Sequence, residues 1–344
     1  MTGFSAHQAR LSARAKINLS LEILNRRPDG YHGLTSVMAT LRLADDLVLS
    51  LRLDDKVNEH GQGAGQPPGI DSGHALAWSV FSNDPDVPDG QSNLCYRAAQ
   101  LFFVQTDIDP ASVVFEVTID KRIPAAAGLG GGSSDAAAVL RFLWDCWHKG
   151  LAEAAGKNQS TLSFNDLQSI ALACGADVPF CLLGGIRVCG GIGEKMTRSL
   201  QAPPIPVLLA LANTSVRTVD AFKWFDDSCE KGATQCECEQ VSAVTEDVWE
   251  AMLFDFDPSR FDRYAKNDFL PIMEGHRPEV LSTIKALRAT GAFAVSMTGS
   301  GPSCFALFRS ENELDRAYKS MSARLSDARL IKTALSPKPE FFSH

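Results

Sequence analysis

A chain of 344 residues with 45% apolar and 22% charged side chains is long enough for two ordinary domains and has the composition of a folded protein, which excludes a disordered or fibrous one. The formal charge of −8 is spread along the chain, which argues against a general affinity for nucleic acid or anionic membrane, so any bound phosphate must be held by local structure. Nine cysteines occur singly, several inside apolar runs such as Phe180-Cys181-Leu182, and this usage fits a reduced, cytoplasmic setting. Asn18 and Glu22 interrupt the apolar stretch Ile17 to Leu24, which reads against a signal peptide, and no run of about 18 apolar residues is present to span a bilayer.

Taken in chain order, the alternation from Leu11 to Leu24 and from Thr35 to Leu53 (Val37, Leu41, Leu43, Leu47, Leu49) predicts two strands around a turn at Arg26-Arg27-Pro28-Asp29-Gly30. Residues 54–91 are rich in Gly, Pro, Asp, Asn and Gln and read as a long, poorly ordered surface excursion. A helix capped by Ser92 is expected over Ser92 to Phe103, then a strand over Ser112 to Lys121, and an apolar helix over Ser133 to His148. A further helix from about Asn165 to Cys174 stops at Gly175, a residue suited to the left-handed position after a helix, and short strands follow.

Prolines 203, 204 and 206 precede the apolar strand Val207 to Ala212 and place a domain boundary near residue 200. Beyond it, helices near 217–227, 245–254, 258–267 and 277–290 and strands near 293–298, 303–309 and 328–334 make an α+β pattern. The polar stretch 226–240 holds Cys229, Cys236 and Cys238 without His or paired C-x-x-C spacing, which argues against a zinc site.

Chemistry concentrates between the 112–121 strand and the 133–148 helix, at Pro124-Ala125-Ala126-Ala127-Gly128-Leu129-Gly130-Gly131-Gly132-Ser133-Ser134-Asp135. Glycines let a backbone approach phosphate closely, and a helix start offers unpaired N–H groups and a positive dipole end. Ser133 and Ser134 can cap the helix, donate to phosphate oxygens or meet Mg²⁺ through a hydroxyl. The loop lacks the lysine of a Walker A sequence and is not the G-x-G-x-x-G of dinucleotide folds.

This P-x-x-x-G-L-G-G-G-S-S-D segment resembles the phosphate loop of the GHMP kinases, named for galactose, homoserine, mevalonate and phosphomevalonate kinases. Two more segments resemble the family's signatures: Ala15-Lys16-Ile17-Asn18-Leu19, with Asp29-Gly30-Tyr31-His32 behind it, and Thr298-Gly299-Ser300-Gly301-Pro302-Ser303. Gly175-Ala176-Asp177-Val178-Pro179-Phe180 is most similar to the diphosphocytidyl-methylerythritol kinase branch.

The resemblance implies a two-domain α+β GHMP-kinase fold, with a nucleotide domain over 1–200, a ferredoxin-like domain over 201–344 and the active site in the cleft. It implies a kinase that uses ATP and Mg²⁺ on a small molecule carrying a cytidine diphosphate group. Neither nucleic acid nor membrane is implied as a partner, and the chain would be a monomer or homodimer. Phosphoryl transfer to an alcohol asks for positioning, charge stabilisation and a carboxylate near the attacking hydroxyl, which gives Asp177 as base and Lys16 as the ammonium beside it. By resemblance ATP lies on Asn93, Lys121 and residues 124–134, with Ser134 toward Mg²⁺, and the turn Gly299 to Gly301 packs against the phosphate loop. Tyr31 stacks on the cytosine, His32 reads its polar edge, Phe222 closes the other side, and Asn18, Gly299 and Ser300 line the acceptor. Another GHMP kinase, a catalytically silent binder of ATP and a misread nicotinamide enzyme are the alternatives. The D-G-Y-H and G-A-D-V-P-F segments argue against the first, since a small acceptor without a base needs no stacking tyrosine. The presence of both Lys16 and Asp177 argues against the second.

Overall fold

The computed structural model describes residues 6–28, 30–53, 78–212, 214–230, 245–324 and 328–340. In chain order the elements are β1 (Ala6–Arg26), β2 (His32–Leu53), β3 (Trp78–Ser82), α1 (Leu94–Gln105), β4 (Val113–Asp120), α2 (Gly131–Cys146), α3 (Phe164–Cys174), α4 (Val178–Leu183), β5 (Ile186–Gly191), β6 (Lys195–Met196) and β7 (Pro206–Leu211). They continue with α5 (Thr218–Glu230), α6 (Glu246–Asp255), α7 (Pro258–Tyr264), α8 (Met273–His276), α9 (Pro278–Arg288), β8 (Ala294–Met297), β9 (Cys304–Leu307), α10 (Glu311–Arg324) and β10 (Arg329–Ala334). The described residues fall into two compact units, a first within Met1–Ala13, Asp45–Arg122 and Gly132–Leu182, and a second within Arg14–Ala44, Ile123–Gly131 and Leu183–His344.

In the first unit the far half of β2 pairs antiparallel with β4, from Asp46 opposite Asp120 to Leu53 opposite Val113, and β3 joins β4 in parallel. Strand alternation turns Leu47, Leu49, Leu51, Val113, Phe115, Val117 and Ile119 inward. Rings fill the space between this sheet and the helices: Trp78 packs on Tyr96, Phe103 and Phe115, Phe102 on Phe103 and Trp147, and Phe115 on Phe142.

The first unit departs from local expectation in three places. Helix α1 starts at Leu94 and is capped by Asn93, whose side chain accepts from the Cys95 N–H at 2.8 Å; Ser92 instead donates to the Asp89 carbonyl. Part of the supposed excursion is ordered, because Trp78–Ser82 is a strand paired with β4 and Gly90–Ser92 a helical turn; residues 54–77 lie outside the described residues. Gly175 has φ 168°, an extended conformation open to any residue, so α3 does not end on a left-handed glycine, and α4 rather than a strand follows it. At its start α3 carries a full capping box between Ser163 and Asp166.

The second unit contains a four-stranded antiparallel sheet in the order β10-β7-β9-β8, built in the chain order strand, helix, strand, strand, helix, strand, which is the ferredoxin-like arrangement. β7 is buried at every position because both faces of this sheet are covered. Val207, Leu209 and Leu211 join one core with Ile17, Val37, Ile186, Trp249 and Phe305, while Leu208 and Ala210 join another with Phe269, Ile284, Leu287 and Met321. In the same unit the near half of β2 pairs with β5, from Leu34 opposite Gly191 to Ala39 opposite Ile186. The helix expected to reach 267 stops at Tyr264, since the next residues peel away to bond β1: Leu21 N–H donates to Lys266 O at 2.7 Å and Asp268 N–H to Leu21 O at 3.0 Å.

Six described cysteines (95, 146, 174, 181, 189 and 304) are free and buried, as small core residues would be; Cys229 is disulfide-bonded and departs from the reading of unpaired thiols. Cys236 and Cys238, with most of the 226–240 stretch, lie outside the described residues.

Phe115 is fully buried in the ring cluster and Phe81 is 57% exposed on the neighbouring strand. Phe115→Ala is expected to destabilise the fold by about 3–5 kcal/mol and Phe81→Ala by less than about 1 kcal/mol, as read by denaturant unfolding.

Candidate functional site

The expected phosphate loop leaves β4 and enters α2. Its backbone takes left-handed conformations at alternate residues, with φ 53° at Ala126, 71° at Gly128 and 69° at Gly130. Such alternation turns successive N–H groups toward one side and makes an anion-binding nest, here running straight into a helix start. Glycine meets this at little cost at 128 and 130; Ala126 adopts it against an ordinary penalty of about 1–2 kcal/mol.

In the second unit this loop is set against β1 and against the turn Thr298–Gly301. Lys16 N–H donates to the Leu129 carbonyl at 2.9 Å, and a Cβ placed at Gly130 would lie 2.8 Å from Lys16 Cγ. At Gly128 it would lie 3.5 Å from the Gly301 carbonyl oxygen, and at Gly299 (φ 57°) 3.7 Å from Asn18 Oδ1 and 3.8 Å from Lys16 Nζ. The two glycine turns therefore meet, and they close around the Lys16–Asn18 strand segment.

Lys16 and Asn18, 4% and 5% exposed, are held by a buried polar network. Lys16 Nζ donates to Asn18 Oδ1 at 2.9 Å, Asn18 Nδ2 to Ser36 Oγ at 2.8 Å, and Asn18 N–H to Thr298 Oγ1 at 2.9 Å. Ser36 Oγ donates in turn to the Ser20 carbonyl at 2.6 Å. Asn267, 6% exposed, fixes the second glycine turn by donating to the carbonyls of Met297 (2.8 Å) and Gly299 (3.0 Å) while accepting from Phe269 N–H. Buried donors and acceptors must find partners, so these bonds set where Lys16 points.

His32 stacks on Phe222 with centroids 5.0 Å apart and planes 12° from parallel, and its Nε2 lies 2.8 Å from Asp226 Oδ1. The carboxylate accepts, so Nε2 carries the proton and the tautomer is set. Tyr31 beside it is 64% exposed; Asp29 lies outside the described residues. Ser300 Oγ lies 3.3 Å from Thr218 Oγ1 at the start of α5.

In the first unit, Asp177 is half-buried directly before α4, its carbonyl accepting from Cys181 N–H at 3.0 Å. Asn93 spends both ends of its amide on structure, its Nδ2 donating to the Pro88 carbonyl. Lys121 Nζ donates to Asp45 at 2.5 Å and to Asp135 at 2.8 Å, with all three side chains at most 3% exposed. Burial pushes the Asp135 carboxyl up to about 7 against the pull of Lys121, and Asp45 adds to the rise. Burial alone would lower Lys121, but the two carboxylates outweigh it and the net shift is upward. Ser134 is 2% exposed, and no group of three or more His, Cys, Asp or Glu among the described residues could hold a metal. The described donor set thus does not by itself make a Mg²⁺ site.

Sequence reading missed Asp45, Asn267 and Asp226. Asp45 had a signal, since it occupies the inward register of Leu41, Leu43, Leu47 and Leu49, where a carboxylate needs a partner. Asp226 had one too, standing four residues after Phe222 on one helix face. Asn267 acts across 30 residues and gives no local sign.

Profiles of the GHMP kinases N terminal domain and the GHMP kinases C terminal domain match residues 93–185 and 254–327. The 4-diphosphocytidyl-2-C-methyl-D-erythritol kinase of Geobacillus thermodenitrificans is 34% identical over 311 residues, covering 90% of this chain and 92% of that one. That of Geobacillus sp. strain WCH70 is 31% identical over 311 residues with the same coverage. A crystal structure of 4-(cytidine 5'-diphospho)-2C-methyl-D-erythritol kinase superposes with TM-score 0.65 at 27% identity, covering 96% of this chain and 100% of that one. The L. major mevalonate kinase in complex with R-mevalonate gives TM-score 0.66 at 14% identity, covering 98% of each chain, a likeness of fold.

Gly130→Ala forces a methyl group onto the Lys16 stem and is expected to lower kcat/KM by about a hundredfold, the order lost when a reacting group is misplaced by about 1 Å, while circular dichroism stays unchanged. Asp135 holds in the folded state a proton that the unfolded chain releases above 3.8, so its contribution to stability is lost as pH rises from there through about 7. Melting temperatures of wild type relative to Asp135→Asn should fall over that window and level off above it.

Proposed function

The chain belongs to the GHMP kinase family, and from that premise we propose that it transfers the γ-phosphoryl group of ATP to the 2-hydroxyl of 4-diphosphocytidyl-2-C-methyl-D-erythritol, giving ADP and the 2-phosphate in non-mevalonate isoprenoid precursor synthesis. It is an ATP-dependent kinase. The observation that carries the choice of acceptor is the stacked, carboxylate-held His32 on Phe222 beside an exposed Tyr31. A ring pair and a tautomer-fixed imidazole suit a pyrimidine with a polar edge and have no task on a small aliphatic acceptor.

In this reading the triphosphate lies on residues 124–134, held by the backbone N–H groups of the nest and the α2 start, with Asn93 toward the adenosine. Asp177 accepts the proton of the attacking hydroxyl, and the Lys16 ammonium, kept in place by Asn18, stabilises negative charge on that oxygen. Asn18, Gly299 and Ser300 line the acceptor. Mg²⁺ would neutralise phosphate charge, carried chiefly by the phosphates themselves with at most the Ser134 hydroxyl from this set. We keep domains over 1–200 and 201–344, with the matches at 93–185 and 254–327 falling on either side of a boundary near 200, although the compact units of the fold interleave in sequence. No helix among the described residues is long and apolar enough to cross a membrane; we place the reaction in the cytoplasm, where its nucleotide substrate is found.

ADP release should be measured with MgATP and a panel of acceptors: diphosphocytidyl-methylerythritol, methylerythritol phosphate, mevalonate, homoserine and galactose. Turnover is expected with the first alone, reduced by about 10²–10⁴-fold in Asp177→Asn. Turnover only with another acceptor would overturn the substrate and leave the kinase.

A further inference from the structure

Lys121 lies just before the phosphate loop and Asp135 just after it, so the 2.8 Å bond between them ties the loop's two stems together across fourteen residues. Asp45, reaching in from β2, holds the first stem twice: Oδ2 accepts from Lys121 Nζ at 2.5 Å and Oδ1 from the Arg122 backbone N–H at 2.6 Å. Asp135 uses one oxygen only. Its Oδ1 is buried without a hydrogen-bond partner.

Three ionisable groups buried this deeply are a poor way to stabilise a fold, because their desolvation can cancel their attraction, and apolar residues of like volume often do as well or better. What such a trio supplies is direction: each group accepts one geometry and rejects its neighbours. We propose that Asp45, Lys121 and Asp135 form a clasp across the stems of the phosphate loop, a positioning device for MgATP in which Lys121 orders the loop and does not itself touch the nucleotide. The proposal rests on the reading of residues 124–134 as the triphosphate site.

The clasp predicts opposite behaviour for two chemically identical changes. Asn at 45 must present its NH₂ to either the Lys121 ammonium or the Arg122 N–H, since both Asp45 oxygens accept. Asn at 135 can keep its oxygen on Lys121 and put its NH₂ in the place of Oδ1, where no existing hydrogen bond is lost. MgATP affinity of the full chain, measured by titration calorimetry, together with KM for each substrate, tests this. Asp45→Asn, Lys121→Met and Asp135→Ala are each expected to weaken MgATP by about tenfold or more with KM for the acceptor within about twofold; Asp135→Asn should stay within about threefold of wild type.

Equal effects of Asp45→Asn and Asp135→Asn overturn the clasp. So does a loss confined to Lys121→Met, which would mean direct contact with the nucleotide. Should Asp135→Ala fail to fold by circular dichroism, the two asparagine variants still separate a clasp from a purely structural trio. Ala126→Pro, which cannot adopt φ 53°, separates the two levels. If it weakens MgATP and the clasp variants do not, the clasp alone falls; if it leaves MgATP binding intact, the phosphate-loop reading falls and the clasp with it.

Discussion

Burying an ammonium sets the terms for much of the second unit. Lys16 is 4% exposed, and a charge taken that far from water must be met by oxygen atoms whose positions are themselves fixed. Asn18 meets it, and Asn18 is in turn satisfied by Ser36 and by Thr298, so one strand, its hairpin partner and a turn some 280 residues away are bound into a single arrangement. The lysine stem then leaves no room for a side chain at Gly130, and the Asn18 and Lys16 heads stand within 4 Å of where one would begin at Gly299. Two of the glycines that mark the sequence are there because of what lies against them, and their left-handed backbone is the form that such close approach permits.

The proposed phosphate loop and the proposed base-side cluster use different materials. In that reading alternate left-handed residues would give the loop a recognition surface of main chain, whereas His32, Phe222 and Asp226 would give theirs from side chains borne on a hairpin and one helix face. The ferredoxin-like sheet serves both by being buried on each face: Val207 and Leu209 hold the layer that carries Ile17 and Val37, and Leu208 and Ala210 hold the layer beneath Phe222 and Phe225.

Much of this was legible in the chain before any fold was known. Period-two alternation located β2 and β4 because each turns one face to a packed core, an unbroken apolar run after a proline cluster located β7, and the glycine loop stood out because left-handed residues and close approach both demand the same residue type. What could not be read was set by distance. Asn267 reaches across to Met297 and Gly299, and α7 ends early because Lys266 and Asp268 bond β1; neither has a local cause. Ser92 and Asn93 are both good caps, and the role fell to Asn93, whose amide also reaches Pro88. Trp78–Ser82 was lost in a glycine- and proline-rich surround, though Trp78 and Val80 alternate inward like any strand. Asp45 was the avoidable omission, a carboxylate in an inward register that leucines otherwise fill.

A loop that recognises its ligand through peptide groups has a particular evolutionary freedom. Ala125 is exposed, so its side chain can drift under no demand from a ligand held by main chain, whereas Ala126 (φ 53°) and the glycines beside it are held to residues that accept a left-handed backbone. The proposed acceptor end has the reverse character, since a change at Phe222 or Asp226 would alter what is recognised without touching the backbone of residues 124–134. One protein scaffold can in this way keep its energy source constant and diversify its choice of alcohol by substitutions on a single helix.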